Sequence, residues 1–234
     1  MPARFCLISC EHAGNRIPSR YADFFRGHGA LLRSHRGYDI GSLRMARELA
    51  RALDAPLVIS PVSRLLIDLN RSIGQPDLYS ELTRDIDPAL REEIVNRYYL
   101  PFRGKVMTRV AQALDGGASV LHVSSHSFTP EWQGMSREAD VGLLFDPGRG
   151  PEVSLCERWG AALRRIAPGL TVRMNYPYLG TADGLTTSLR GLHGERYLGI
   201  ELEINQKHVR AGRHAWAAVR TAVCRALLEA MSTA

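Results

Sequence analysis

The chain has 234 residues, 45% of them hydrophobic, enough to bury a substantial core in one domain spanning residues 1–234. No uninterrupted apolar run approaches the length of about 18 residues that a membrane-spanning helix needs, and the segment after Met1-Pro2-Ala3-Arg4 is too short and polar for a signal peptide, so a cytoplasmic protein without a membrane partner is expected. The net charge of +6 comes from Arg scattered among Asp and Glu, with Lys only at Lys105 and Lys207, which indicates a solvated surface rather than a nucleic-acid partner, and four cysteines without C-x-x-C spacing give neither a disulfide framework nor a zinc knuckle.

Phe5 to Ser9 reads as a strand, ended by the turn-forming sequence Cys10-Glu11-His12-Ala13-Gly14-Asn15-Arg16-Ile17-Pro18. Apolar or small residues at Ile40, Leu43, Ala46, Ala50 and Leu53 recur close to every 3.6 residues and predict a helix. Asp39 at its start is either a first-turn acid, worth about 1 kcal/mol, or a metal ligand or the orienter of one. Ala55 to Ser60 is a second strand. The apolar segment after Ser63-Arg64 ends in Asp68-Leu69-Asn70-Arg71, a carboxylate, an amide and a guanidinium together. The paired donors of Arg71 suit a substrate carboxylate, or a surface pairing with Asp68. Ser72 to Pro88 is polar and turn-rich, an excursion over the site. Ala89 to Leu114 reads as helical, restarted or kinked at Pro101 and ended by Gly116-Gly117.

Val120 to Phe128 is an apolar, β-branched run that stops at Ser125-His126-Ser127, as a buried strand does when it delivers an imidazole to the carboxyl edge of a sheet. His122 shares its parity but sits inside the apolar run, as core or as support. Thr129 to Asp140 is loop-like, Val141 to Phe145 a strand, Glu152 to Ile166 an amphipathic helix and Leu170 to Met174 a further strand. Asn175 to Thr187 is a long loop whose aromatics, Tyr178 among them, suit a substrate-facing position. Tyr197 to Ile204 is the last strand, with Glu201 and Glu203 on one face by alternation. Arg213 to Met231 closes the chain as a helix with a stripe of Trp216, Val219, Val223, Ala226, Leu227 and Ala230. Strands alternating with helices predict an α/β fold, a three-layer α/β/α sandwich around a parallel or mixed sheet.

Histidines and carboxylates at strand ends fit an open zinc site of three protein ligands plus a water. No role is assigned to His28, His35, His193, His208 or His214. Six ordered motifs carry a resemblance: Ser9 to Pro18, Tyr38-Asp39-Ile40-Gly41, Ser63 to Arg71, Ser125-His126-Ser127-Phe128, Asn175-Tyr176-Pro177-Tyr178-Leu179-Gly180 and Glu201-Leu202-Glu203-Ile204. Together they resemble the motif set of the N-formylglutamate amidohydrolases, a family similar to the zinc carboxypeptidases and aspartoacylases. The resemblance implies a phosphorylase/hydrolase-like α/β/α fold and one zinc ion. His12 and His126 match the zinc histidines, Asn70 and Arg71 a clamp for the substrate carboxylate, Arg64 a further substrate-facing Arg, and Glu203 the catalytic base.

The chain departs from the carboxypeptidase His-x-x-Glu pattern, because Asn15 stands where the ligand Glu would be and an amide is a poor zinc ligand. The third ligand is then Asp39, or after it Glu11, with Asn15 and Tyr178 as hydrogen-bonding residues toward the substrate. Glu203 is preferred to Glu201 as base because it lies nearer the carboxyl end of its strand, about 7 Å further along. The implied activity is hydrolysis of an N-formyl or other N-acyl acidic amino acid such as N-formylglutamate. A carboxypeptidase-like hydrolase of a short peptide and a metal-free carboxylate-binding protein are the alternatives.

Overall fold

The computed structural model describes residues 4–232. In chain order the elements are β1 (Arg4–Cys10), α1 (Gly29–Leu32), α2 (Ser42–Ala52), β2 (Leu57–Ile59), α3 (Pro88–Ile94), α4 (Leu100–Asp115), β3 (Ser119–Phe128), β4 (Glu131–Trp132), β5 (Met135–Ser136), β6 (Val141–Leu144), α5 (Gly150–Ile166), β7 (Val172–Met174), α6 (Leu185–His193), β8 (Tyr197–Asn205), α7 (Lys207–Arg210) and α8 (Arg213–Ser232). Six strands form one sheet in the order β2-β1-β3-β8-β6-β7. The four from β2 to β8 run parallel, while β6 is antiparallel to β8 and parallel to β7. The fold is α/β around a mixed sheet. No helix among the described residues is long and apolar enough to cross a membrane.

Period-2 alternation explains both layers and the site between them. Ile8 of β1, Leu121 and Val123 of β3, and Ile200 and Leu202 of β8 share one face and pack against α2, α5 and α8 through Leu49, Trp159 and Val223. Leu7, Val120 and Tyr197 point to the other face and meet Val106 and Val110 of α4 and Leu185 and Leu189 of α6. On this second face the strands change character along their length. Beyond the apolar start come His122, Ser124 and His126 on β3 and Glu201 and Glu203 on β8, so a cavity replaces the helix layer at the carboxyl edge.

Three stretches differ from the sequence expectation. The helix from Ala89 runs without a break through α3, a π turn at Val95–Tyr99 and α4, and the π turn stands just ahead of Pro101, which has no N–H to bond the preceding turn. The region from Thr129 to Asp140 contains the β4–β5 hairpin. Helix α6 begins inside the long loop expected to run to Thr187. Asp39 does not cap α2, since Gly41 occupies that position with φ 94°, a left-handed conformation suited to glycine.

Candidate active site

Asp39 brings two imidazoles together. Its Oδ2 lies 2.9 Å from His126 Nδ1 and 3.3 Å from His12 Nδ1, all three residues are buried, and their ligand atoms lie within 4.8 Å of one another. The backbone helps, because the Asp39 N–H donates to the His12 carbonyl. Each ring is held from behind. His12 Nε2 is 2.7 Å from Asp68 Oδ1, and His126 Nε2 is 2.8 Å from Ser124 Oγ, which itself donates to Glu11. A hydrogen on each Nε2 satisfies these partners and leaves both Nδ1 atoms facing the Asp39 carboxylate. Two imidazoles, a carboxylate and outer carboxylates fixing the tautomers form a donor set of the kind that open zinc sites use.

A buried chain continues beneath. Ser9 Oγ donates to Glu11, His122 Nε2 is 2.8 Å from Ser9 Oγ, and the Tyr197 hydroxyl is 2.7 Å from His122 Nδ1. Burial pushes His122 down to about 4, so it is neutral at ordinary pH and supports the site without facing the cavity.

Arg64 and the Asp68 to Arg71 segment make the adjoining wall. Arg64 donates from Nε and Nη2 to Asp68 Oδ2 at 3.1 and 2.6 Å, with Nη1 3.4 Å from Asp39. The segment is positioned from α4 and the π turn, where the Tyr99 hydroxyl donates to the Arg71 carbonyl and Arg103 to the carbonyls of Leu69 and Arg71. Asn70 Oδ1 accepts from the Leu185 N–H, the first amide of α6, which turns its Nδ2 donors toward open space. Arg71 spends Nε on Asp77 and Nη1 on the carbonyls of Asn70 and Asp183, leaving Nη2 available.

These walls enclose a cavity of about 660 Å³. His12, Asp39, His126, Glu201 and Glu203 line its base, and Asp77 to Arg84 from the polar excursion form one side. Tyr178 and Trp132 stand at the mouth, with the Arg137 guanidinium packed against both rings at 5.3 Å. Glu203 is 5% exposed, and its Oε2 has no hydrogen-bond partner among the described residues.

The charges are tightly coupled. Burial works against charge on His126, but the hydrogen bond and charge of Asp39, with Glu11, outweigh it and raise the ring to about 10. His12 is raised in the same way by Asp68 and Asp39, against burial and Arg64. Asp39 is held far below the usual carboxylate range by the two histidines despite its burial. Glu203 goes the other way: burial pushes it up to about 8, with Asp39 and Glu201 adding to the rise and His126 opposing it.

Of the residues singled out from sequence, His12, Asp39, Arg64, Asn70, Arg71, His126, Tyr178, Glu201 and Glu203 all line this cavity. Asn15 does not, because its Nδ2 donates to the Leu32 carbonyl at 3.0 Å and the side chain braces the loop before α2. Glu11 lies behind His126, 3.5 Å from its Nε2. Asp68, which the sequence offers only as a partner for Arg71, also lines the cavity and supports His12. His35, assigned no role, also lines the cavity, with its ring 5.9 Å from Trp132.

An α/β sheet whose carboxyl edge gathers two supported imidazoles, a shared carboxylate and an unpaired buried Glu has the framework of a hydrolase. The chain belongs to the N-formylglutamate amidohydrolase family, whose sequence model matches residues 5–209. Among solved structures it is similar to a gene product from Agrobacterium tumefaciens, with 32% identity, a TM-score of 0.83, and 97% of this chain and 90% of that chain covered. The N-formylglutamate amidohydrolase from Ralstonia eutropha shares the fold at 20% identity and a TM-score of 0.68, with 97% of this chain and 93% of that one covered. No curated protein is significantly similar to the chain.

Proposed function

We propose that residues 1–234 act as one catalytic unit, a zinc-dependent amidohydrolase that cleaves the amide of an N-formyl or other N-acyl amino acid. N-formylglutamate, the substrate in the family's name, is the reference compound. The observation that carries this reading is the Glu203 carboxylate, buried and partly unpartnered, on the same cavity base as the His12–Asp39–His126 group. The proposed partner is therefore a small molecule bearing a carboxylate.

Asn70 Nδ2 and Arg71 Nη2 grip the carboxylate of the amino acid and fix the scissile amide over the base of the cavity. His12, Asp39 and His126 would hold the zinc ion. When bound, zinc supplies Lewis-acid polarisation and a more acidic water. Glu203 takes the proton of the attacking water and passes it to the nitrogen of the departing amine, so that a carboxylate and a free amino acid leave. The Arg64 guanidinium faces the negative charge that develops on the acyl oxygen, and Tyr178 covers the mouth.

Elemental analysis of protein reconstituted with zinc should give one divalent ion per chain, and a chelator should abolish turnover of N-formylglutamate or a related N-acyl amino acid. Glu203→Gln should lower kcat by about 10²- to 10⁴-fold while leaving the metal content unchanged. Protein that binds no divalent ion, or a Glu203→Gln variant with full activity, would overturn the mechanism. Release of formate, compared with release of an amino acid from a short peptide, separates this activity from a carboxypeptidase.

A further inference from the structure

Glu201 is a cavity carboxylate that this chemistry leaves unused. It precedes Glu203 by two residues on β8, so both project from one face, about 7 Å apart along the strand. Its Oε1 accepts from the Thr186 hydroxyl at 2.8 Å. It forms no ion pair with an Arg, Lys or His among the described residues, although four arginines, Arg36, Arg64, Arg71 and Arg84, line the same cavity.

Its neighbour is the carboxylate clamp. A Cβ built on Gly184 would lie 3.1 Å from both Asn70 Oδ1 and Glu201 Oε1, so the amide and the carboxylate flank a single point. The charges at this end are unequal. Arg71 already engages Asp77, and Asp183 lies alongside it. Elsewhere in the cavity Arg64 is committed to Asp68 and Asp39, and Arg36 to Glu81, while Arg84 stands on the exposed part of the wall. Once Asn70 and Arg71 hold the α-carboxylate, the cavity arginine without an ion pair among the described residues is Arg84, which is exposed, and the charged side chain flanking Asn70 itself is an anion. That anion is Glu201. Glu203, more than nine-tenths buried with an oxygen unpartnered among the described residues, lines the same cavity and marks it as built for a polar ligand.

Resting on the amidohydrolase reading above, we propose that this end of the cavity is a subsite for a basic side chain, so that the preferred substrate is an N-acyl derivative of an amino acid such as arginine or lysine rather than of glutamate. A four-carbon ammonium stem or a guanidinium reaches along β8 from the scissile amide beside Glu203 to the Glu201 carboxylate. Pairing there gives a half-buried carboxylate a cation at contact distance, whereas a glutamate side chain would bring like charges together.

The test compares kcat/KM of the zinc-loaded protein for N-formyl-L-arginine, N-formyl-L-lysine, N-formyl-L-glutamine and N-formyl-L-glutamate. The basic substrates should exceed N-formylglutamate by about tenfold or more. Glu201→Gln should reduce the arginine-to-glutamine ratio, and Glu201→Lys should shift the preference toward glutamate. Calorimetric titration with N-acetyl-L-arginine and N-acetyl-L-glutamate repeats the comparison without turnover. Preference for glutamate in either assay, or an arginine-to-glutamine ratio unmoved by Glu201→Gln, overturns the subsite. Failure to hydrolyse every N-formyl amino acid overturns the amidohydrolase reading instead, and the titration then decides the subsite alone.

Discussion

Asp68 is the residue at which most of the site's charges meet. One oxygen accepts from His12 and from the Asn70 N–H, and the other takes two donors from Arg64. Burial would favour the neutral acid, but Arg64 and then His12 hold it well below the usual carboxylate range. A single anion thus sets the tautomer of one histidine, aims the cavity's central guanidinium and supports the turn that presents Asn70. Asparagine has the same shape but only one accepting oxygen, so Asp68→Asn cannot serve His12 and Arg64 together. Zinc affinity should fall by about 10- to 100-fold, read by competition with a chromogenic chelator. Unchanged affinity would mean that the bond from His12 to Asp68 does not orient a metal-binding ring. From sequence, Asp68 had one visible partner, Arg71. The partners it has are Arg64, four residues earlier, and His12, 56 residues away, and no local pattern shows the second.

At the level of elements, the base depends on how closely β6 lies beside β8. Gly142 of β6 pairs with Glu203 across the antiparallel ladder. A Cβ at Gly142 would fall 1.9 Å from the Tyr176 carbonyl oxygen and 3.3 Å from Glu203 Cβ. Only glycine lets the loop that carries Tyr178 pass over β6 at this height. Gly142→Ala should therefore destabilise the protein by about 1–3 kcal/mol in denaturant unfolding and lower kcat by displacing Glu203 or Tyr178. An unaltered unfolding midpoint would show that the loop can move away freely. The strands were readable because alternation and β-branching mark them directly, and the polar residues ending Val120 to His126 announced the cavity. Helix α6 was hidden for a physical reason. Its Leu185-Thr186-Thr187-Ser188 start is poor helix sequence, and its first amide is capped by Asn70, 115 residues away. The β4–β5 hairpin is two residues per strand and held by ring contacts around Arg137, too short for alternation to register.

Across the whole molecule, the active edge joins segments that meet only in the folded chain: His12 after β1, Asp39 before α2, Asp68 after β2, His126 on β3 and Glu203 on β8. If the proposed zinc ion binds there, protons compete with it for that assembly. In the metal-free protein His126 is raised from 6.5 to about 10 and Glu203 from 4.5 to about 8, so each binds its proton more tightly folded than unfolded. Wherever the folded state holds more protons, stability falls as pH rises. The contribution of Glu203 is complete below about pH 4.5 and lost by about pH 8, and that of His126 is complete below about pH 6.5 and lost by about pH 10. The depressed carboxylates Asp39 and Asp68 act oppositely, but only on the acid side of their ordinary range. The Tm of the metal-free protein should therefore decline steadily from pH 6 to pH 10. Zinc held there as proposed would have to displace the protons on the two Nδ1 atoms, so its affinity, and the rise in Tm it produces, should grow over the same interval. Thermal melts at several pH values, with and without zinc, read both trends. A zinc-induced shift equal at every pH would mean that no proton leaves the site on binding, and that the ion is held elsewhere than between His12, Asp39 and His126.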